Sequence, residues 1–175
     1  MKFFDVLPQL AENELLKRGV MTDELLYCVK ADLDGEGGYV DVYITFTKDT
    51  LCILRGYEEY GKMKRGQKRK NLVSFTVSGY DEYPIDSIEE MYVDRYANSA
   101  RLMIKDKSGK EFPIARFSLG FADKFEKFSQ RVNCTAKNEP IDDRLLEGVK
   151  THCPTCGEPY RSEERRVGKE CRSRW

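Results

Sequence analysis

YVDVYITFT, at residues 39–47, alternates apolar and polar side chains and decides the fold class. Successive side chains of a β-strand point to opposite faces, so a period of two predicts a strand with one buried and one solvated face. The predicted buried residues are Val40, Val42, Ile44 and Phe46. The predicted solvated residues are Tyr39, Asp41, Tyr43 and Thr45.

Strands of the same period lie on both sides of this stretch. Before it, alternate residues from Leu25 to Leu33 are apolar or aromatic, and the glycine-rich turn DGEGG at residues 34–38 joins the two strands. After it, Lys48 and Asp49 turn the chain into a third strand at residues 51–55. Three consecutive strands joined by tight turns predict an antiparallel meander.

Four more strands are predicted further along the chain. They lie at residues 73–77, 88–95, 102–104 and 112–117, and the turn DKSG at residues 106–109 precedes the last. Together with the meander they make seven short antiparallel strands.

A helical period appears at both ends of this region. Leu7, Leu10, Ala11 and Leu15 share one face of an N-terminal helix, which we expect to pack on the side of the domain. A second helix follows the last strand, with Ser118 as its predicted N-cap. Its aromatic stripe consists of Phe121, Phe125, Phe128 and Val132.

Seven antiparallel strands followed by one helix are the element order of a pleckstrin-homology-like barrel. The sequence therefore predicts a mainly β (α+β) fold, with an N-terminal helix at residues 1–22 and a pleckstrin-homology-like domain at residues 23–134. The C-terminal helix would plug one open end of the barrel. A β-sandwich with a packed helix is the alternative. Residues 135–151, with Pro140 and Gly148, are a predicted linker.

The amino-acid composition argues against several classes of function and location. A hydrophobic share of 40% supports a packed core, and 30 basic against 30 acidic residues argue against affinity of the chain as a whole for nucleic acid or for an acidic membrane. No apolar run approaches the ~18 residues of a membrane span, and the first residues do not resemble a signal peptide. Scattered cysteines in such a chain predict reduced thiols and a cytoplasmic setting.

The sharpest motif is CPTCG at residues 153–157. Two cysteines at this spacing hold one zinc ion, and a following glycine permits the tight turn. Cys153 and Cys156 are therefore predicted to form half of a zinc site in a truncated zinc-ribbon knuckle at residues 152–160. His152 is adjacent to Cys153 and cannot easily reach the same ion. A redox CxxC would require a strand-to-helix setting and is the weaker interpretation.

A basic segment, KMKRGQKRK, occupies residues 62–70 between the third and fourth strands. One interpretation is a site for anionic lipid headgroups or another partner. The other is a solvated loop whose charge balances the neighbouring YEEY at residues 57–60. The basic residues are Lys62, Lys64, Arg65, Lys68, Arg69 and Lys70.

Catalytic motifs are missing from the sequence. It has neither a phosphate loop of the G-x-x-x-x-G-K-[ST] type nor a G-x-S-x-G nucleophile elbow, and it contains one histidine. We therefore expect no catalysis from this chain.

Residues 161–175, RSEERRVGKECRSRW, resemble the in-frame translation of a sequencing adapter. We expect this tail to be disordered and to add nothing to the fold. It contains the single tryptophan, Trp175, and one of the cysteines, Cys171. It also carries more basic than acidic residues, so the rest of the chain is net acidic.

The chain resembles the N-terminal extension of Firmicutes-type ABC exporters that carry ATP-binding and permease regions in one polypeptide. The resemblance covers residues 1–160 and rests on FFDVLPQLAENELLKRG at residues 3–19, GYVDVYITFT at residues 38–47 and CPTCGEPY at residues 153–160. In that group a β-rich cytoplasmic domain and a zinc-ribbon-like segment precede six transmembrane helices and the nucleotide-binding domain.

The resemblance implies a regulatory or positional domain at the cytoplasmic face of the cell membrane, next to the membrane domain of its own parent chain. Zinc is the implied cofactor, ATP hydrolysis would belong to the parent, and the parent would be a homo- or heterodimer. A soluble adaptor that binds protein partners is the alternative. An enzyme subunit that has lost its catalytic part is a weaker one.

Overall fold

The computed structural model describes residues 4–62 and 72–140. The predicted zinc knuckle, the adapter-like tail and all of the linker beyond residue 140 lie outside the described residues. The predicted linker began at residue 135, but the last helix continues to Ala136.

The described residues form two α-helices and seven strands in the predicted order, with three short 3-10 turns. The helices are α1 (Gln9–Leu16) and α2 (Ala122–Ala136). The strands are β1 (Tyr27–Asp34), β2 (Tyr39–Phe46), β3 (Thr50–Tyr60), β4 (Leu72–Pro84), β5 (Ile88–Arg95), β6 (Ser99–Asp106) and β7 (Glu111–Ser118). The 3-10 turns are Thr22–Glu24, Ile85–Ser87 and Leu119–Phe121.

All seven strands belong to one antiparallel sheet with the order β4-β3-β2-β1-β7-β6-β5. The mainly β prediction is confirmed. The sheet is not closed, because its edge strands β4 and β5 are not paired with each other. Asn133 of α2 shows what covers β5 instead: its side chain accepts a hydrogen bond from Met91 N at 2.7 Å and donates one to Met91 O at 2.8 Å. A helix, and not another strand, satisfies this edge.

The larger core lies between the sheet and α2. Val40, Val42, Ile44 and Phe46 are buried there, as predicted. Phe128 of α2 packs edge-on against Phe46, with ring centroids 5.4 Å apart. This geometry is favourable for aromatic pairs. The strand β2 and the aromatic stripe of α2 are therefore in direct contact.

A second apolar cluster covers the opposite face of the sheet. Leu15 of α1 packs there with Tyr43, Cys52 and Leu54. The prediction that Tyr43 and Thr45 are solvated is therefore wrong: they are 2% and 0% exposed. The error arises because the alternation of a strand does not reveal whether a helix covers its second face. Here α1 covers it.

The start of α2 also differs from the prediction. The chain makes a 3-10 turn at Leu119–Phe121 before the α-helix begins at Ala122. Ser118 precedes this turn and makes no side-chain capping hydrogen bond, so it is not the N-cap of α2. Phe121 consequently lies at the helix boundary and is 50% exposed, whereas Phe125, Phe128 and Val132 are buried as expected.

The glycine-containing turns are as predicted. Asp34 Oδ1 accepts hydrogen bonds from Glu36 N at 3.0 Å and Gly38 N at 2.7 Å, and Gly37 has φ +95°. Asp106 Oδ1 accepts from the backbone N of Ser108 and of Lys110 in the same way. Aspartate stabilises such turns by accepting from the backbone ahead of it.

The cysteines of the described region carry free thiols. Cys28 and Cys52 are buried and Cys134 is partly buried. Burial raises the pKa of the Cys28 thiol to about 12, which keeps it protonated and unreactive. Cys28 and Cys52 act as small apolar side chains of the cluster under α1.

Leu15→Ala should lower the free energy of unfolding by about 2–4 kcal/mol, because it removes a fully buried side chain from the α1 cluster. Leu16→Ala is the matched control on the same helix: Leu16 is 44% exposed, so we expect a change of less than about 1 kcal/mol. Urea denaturation of both variants measures the difference. Equal losses would contradict the assignment of α1 as the cover of the second face.

Candidate functional site

The predicted basic segment begins at the end of a β-hairpin formed by β3 and β4. Lys62 is exposed two residues after β3 ends. Lys64, Arg65, Lys68, Arg69 and Lys70 lie outside the described residues, as do Cys153 and Cys156. The structure therefore describes the hairpin that bears the segment but not its other basic residues.

This hairpin is longer than the sequence predicted. The expected strands were 51–55 and 73–77, but β3 runs to Tyr60 and β4 from Leu72 to Pro84. Their pairing continues to Tyr60↔Leu72. The pairing of β3 with β2 ends at Gly56.

Residues 57–60 and 72–76 therefore form a two-stranded extension, which we call the distal hairpin. The four residues 57–60 each add a rise of ~3.3 Å, so β3 extends about 13 Å past its last pair with β2. The basic segment is attached at the far end of this extension.

Exposed apolar and aromatic side chains occupy the distal hairpin. Tyr57, Tyr60 and Val73 each expose more than half of their surface. Val73 is the unpaired residue of a bulge, where the register shifts between Glu59 and Tyr60. Bulges of this kind turn side chains out of a regular ladder. The distal hairpin therefore carries a small exposed surface of aromatic and apolar side chains.

A group of charged and tyrosine side chains lies at the base of the distal hairpin. We call it the Glu58 cluster, and Glu58 is its centre, with a side chain that is only 3% exposed. Lys30 Nζ lies 2.5 Å from Glu58 Oε2 and 2.8 Å from Asp41 Oδ1. The hydroxyls of Tyr43 and Tyr60 both donate hydrogen bonds to the Glu58 carboxylate.

Hydrogen bonds and opposite charges shift the pKa values of Glu58 and Lys30. Burial alone would raise the pKa of Glu58, but hydrogen bonds from Lys30, Tyr43 and Tyr60 outweigh it and lower the pKa below its usual value. Burial would likewise lower the pKa of Lys30, yet its bonds to Asp41 and Glu58 raise it. Both groups are charged at neutral pH and satisfy each other.

The bonds of Glu58 and Glu59 bear on the interpretation of the basic segment as a solvated loop. A solvated loop balanced by residues 57–60 would use the charges of Glu58 and Glu59. Glu58 is already paired with Lys30, and Glu59 Oε2 accepts a hydrogen bond from Ser74 Oγ at 2.6 Å. Glu58 thus has a cationic partner within the sheet, which it shares with Asp41, and the sequence could not show this because Lys30 is distant along the chain.

Within residues 4–62 and 72–140, no three His, Cys, Asp or Glu side chains are grouped closely enough to hold a metal ion. Neither helix of this part of the chain combines the length and apolarity needed to cross a bilayer.

No protein-family model matches the chain, and no curated protein or solved structure matches it significantly. The geometry of the described residues therefore carries the functional argument.

Glu58→Gln should lower the free energy of unfolding by about 1–3 kcal/mol at neutral pH, because Lys30 loses one of its two carboxylate partners. Because folding lowers the pKa of Glu58, its contribution is complete above the ordinary value of 4.5 and is lost as the pH falls through the folded-state pKa. The difference between wild type and variant should shrink in acid.

Urea denaturation at neutral and acidic pH measures this difference. Glu59→Gln is the matched control, since Glu59 is exposed and its only described bond is to Ser74. A pH-independent loss in Glu58→Gln, or an equal loss in Glu59→Gln, would contradict the role of the Glu58 cluster.

Proposed function

We propose that this chain is a non-catalytic accessory domain that the β3–β4 hairpin positions against an anionic membrane surface. The observation that carries the proposal is the distal hairpin, which bears the basic segment at its end while the acidic residue at its base is paired with Lys30. In this proposal the basic residues of the segment contact the anionic headgroups.

The chemistry of the distal hairpin suits a lipid interface. A basic residue close to an anionic surface contributes on the order of 1 kcal/mol. The segment at residues 62–70 contains six such residues. Tyr57 and Tyr60 of the distal hairpin expose aromatic rings, and tyrosine favours the boundary between water and lipid. The positive charge of the basic segment would attract the hairpin to the anionic surface. The rings of Tyr57 and Tyr60 would then hold it at the lipid headgroups.

A pleckstrin-homology-like fold is the finer structural proposal. Strand order places two meanders, β1–β4 and β5–β7, side by side with α2 packed on the sheet. This arrangement supports the assignment, although the sheet is open between β4 and β5.

The parent protein, in this proposal, is an ABC exporter with fused ATP-binding and permease regions. Residues 1–160 would be its cytoplasmic N-terminal extension, and Cys153 and Cys156 would supply two of the four zinc ligands between domain and membrane region. The chain would then regulate or position the transporter, and ATP hydrolysis would take place elsewhere in the parent.

A protein-interaction adaptor is the second candidate, and edge strand β4 favours it. The outer edge of this long strand has no partner strand in the described part of the chain. An exposed edge can accept a strand from another protein. Binding of a partner protein with no affinity for anionic vesicles would favour this candidate.

Vesicle sedimentation tests the membrane proposal. The full chain should sediment with vesicles that contain phosphatidylserine, less so with phosphatidylcholine alone, and binding should weaken as salt screens the charges. Lys68→Glu/Lys70→Glu should abolish most of this binding.

The matched control is Lys48→Glu/Lys137→Glu, which reverses two exposed lysines outside the hairpin. It changes the net charge by the same amount and should bind like wild type. Equal binding by both double variants, or no binding by wild type, would overturn the membrane proposal.

A further inference from the structure

A row of directly opposed residues crosses five strands of the sheet. Leu33 of β1 is opposite Tyr39 of β2 and Arg116 of β7. Arg116 is opposite Arg101 of β6, which is opposite Asp94 of β5. Opposed residues of antiparallel strands share a face, so two arginines lie next to each other on one face.

The two arginines have unequal partners. Arg101 Nη2 lies 3.2 Å from Asp94 Oδ2, and its guanidinium stacks on Tyr96 at 4.5 Å from the ring centroid. The side chain of Arg116 has no hydrogen bond or ion pair with any described residue, and the Nε atoms of both arginines are buried without an acceptor. Like charges directly opposite each other are unfavourable in a sheet, and the pair has one carboxylate partner, Asp94, among the described residues.

Arg116 lies against the β1–β2 turn. Its Nη1 is 3.2 Å from the position that a Cβ would take at Gly37, a residue with φ +95°. A side chain at this position would displace the guanidinium. The turn therefore lies against the guanidinium of Arg116 and supplies no acceptor to it.

A cavity of about 410 Å³ adjoins this arginine. Lys30 and Lys124 also line it, but Lys30 is paired with Asp41 and Glu58, and Lys124 with Asp5 at 2.6 Å. Asp32 lines the cavity too and makes no ion pair with Arg116. Arg116 is thus the cation of this cavity whose charge is left uncompensated in the described residues.

The rim of the cavity is aromatic. Tyr39 is 86% exposed and Phe121 is 50% exposed, and both line the cavity. Its volume lies within the range of small-molecule sites and exceeds what an inorganic ion requires. A guanidinium group can bind two oxygens of a phosphate group at once. The flat apolar surface beside it suits an organic group attached to that phosphate.

We propose that the cavity between β1, β7 and the start of α2 binds a small organic phosphate, with Arg116 holding the phosphate oxygens. Tyr39 and Phe121 flank the apolar or planar part of the ligand. The negative charge of the ligand compensates the Arg101–Arg116 pair, and Asp32 disfavours binding by repulsion. This site is separate from residues 62–70 and does not depend on the membrane proposal.

Isothermal titration of the full chain with phenyl phosphate tests this site. Wild type should bind, and Arg116→Gln should weaken binding by about tenfold or more, because a charge-assisted bidentate contact is lost. Arg116→Lys should give an intermediate loss, since it retains charge without the fork. Asp32→Asn should tighten binding. Thermal denaturation of each variant checks that it is folded.

Arg18→Gln is the control, because Arg18 lies on α1 outside the cavity and is bonded to Glu14. It should bind like wild type, and so should Lys68→Glu/Lys70→Glu, which separates this site from the basic segment. No binding by wild type, or undiminished binding by folded Arg116→Gln, overturns the proposal.

Sedimentation with vesicles containing phosphatidic acid distinguishes the sources of the phosphate. Sedimentation that Arg116→Gln abolishes identifies a lipid phosphate. Arg116-dependent binding of phenyl phosphate without such sedimentation identifies a soluble one.

Discussion

Burial of both faces of β2 is the constraint on which the rest of the structure depends. Val42 and Ile44 point into the core under α2, while Tyr43 packs into the cluster under α1. A strand between two apolar layers leaves few positions for polar groups, and those present must be paired. Thr45 follows this rule, since its hydroxyl donates to Tyr27 O at 2.8 Å.

The Glu58 cluster is a consequence of the same constraint. The ring of Tyr43 is buried under α1, and its hydroxyl reaches the margin of that cover, where it donates to Glu58. Lys30 and Asp41 complete the cluster on neighbouring strands. Bonds from Lys30 and from two tyrosine hydroxyls satisfy the carboxylate of Glu58 at this margin, where the sheet continues outward as the distal hairpin. The two proposed functions rest on positively charged residues at two separate places, the basic segment and Arg116.

The order of elements could be predicted from the sequence because each has a clear period. Alternation in β2 and the Phe125–Phe128–Val132 stripe in α2 both correspond to buried faces. Three features could not be predicted. The burial of Tyr43 depends on where α1 packs, and the open edge at β5 depends on Asn133 reaching Met91 across the sheet–helix interface. The uncompensated charge of Arg116 depends on strand register, which brings it opposite Arg101.

Nuclear magnetic resonance of the tyrosine rings with a soluble paramagnetic probe tests the two-sided burial of β2 most directly. Tyr39 and Tyr43 lie on the same strand and the same predicted solvated face, yet they are 86% and 2% exposed. The account predicts that the probe broadens the ring signals of Tyr39 and leaves those of Tyr43 sharp. Equal broadening of both rings would show that the second face of β2 is open to water and would contradict the account.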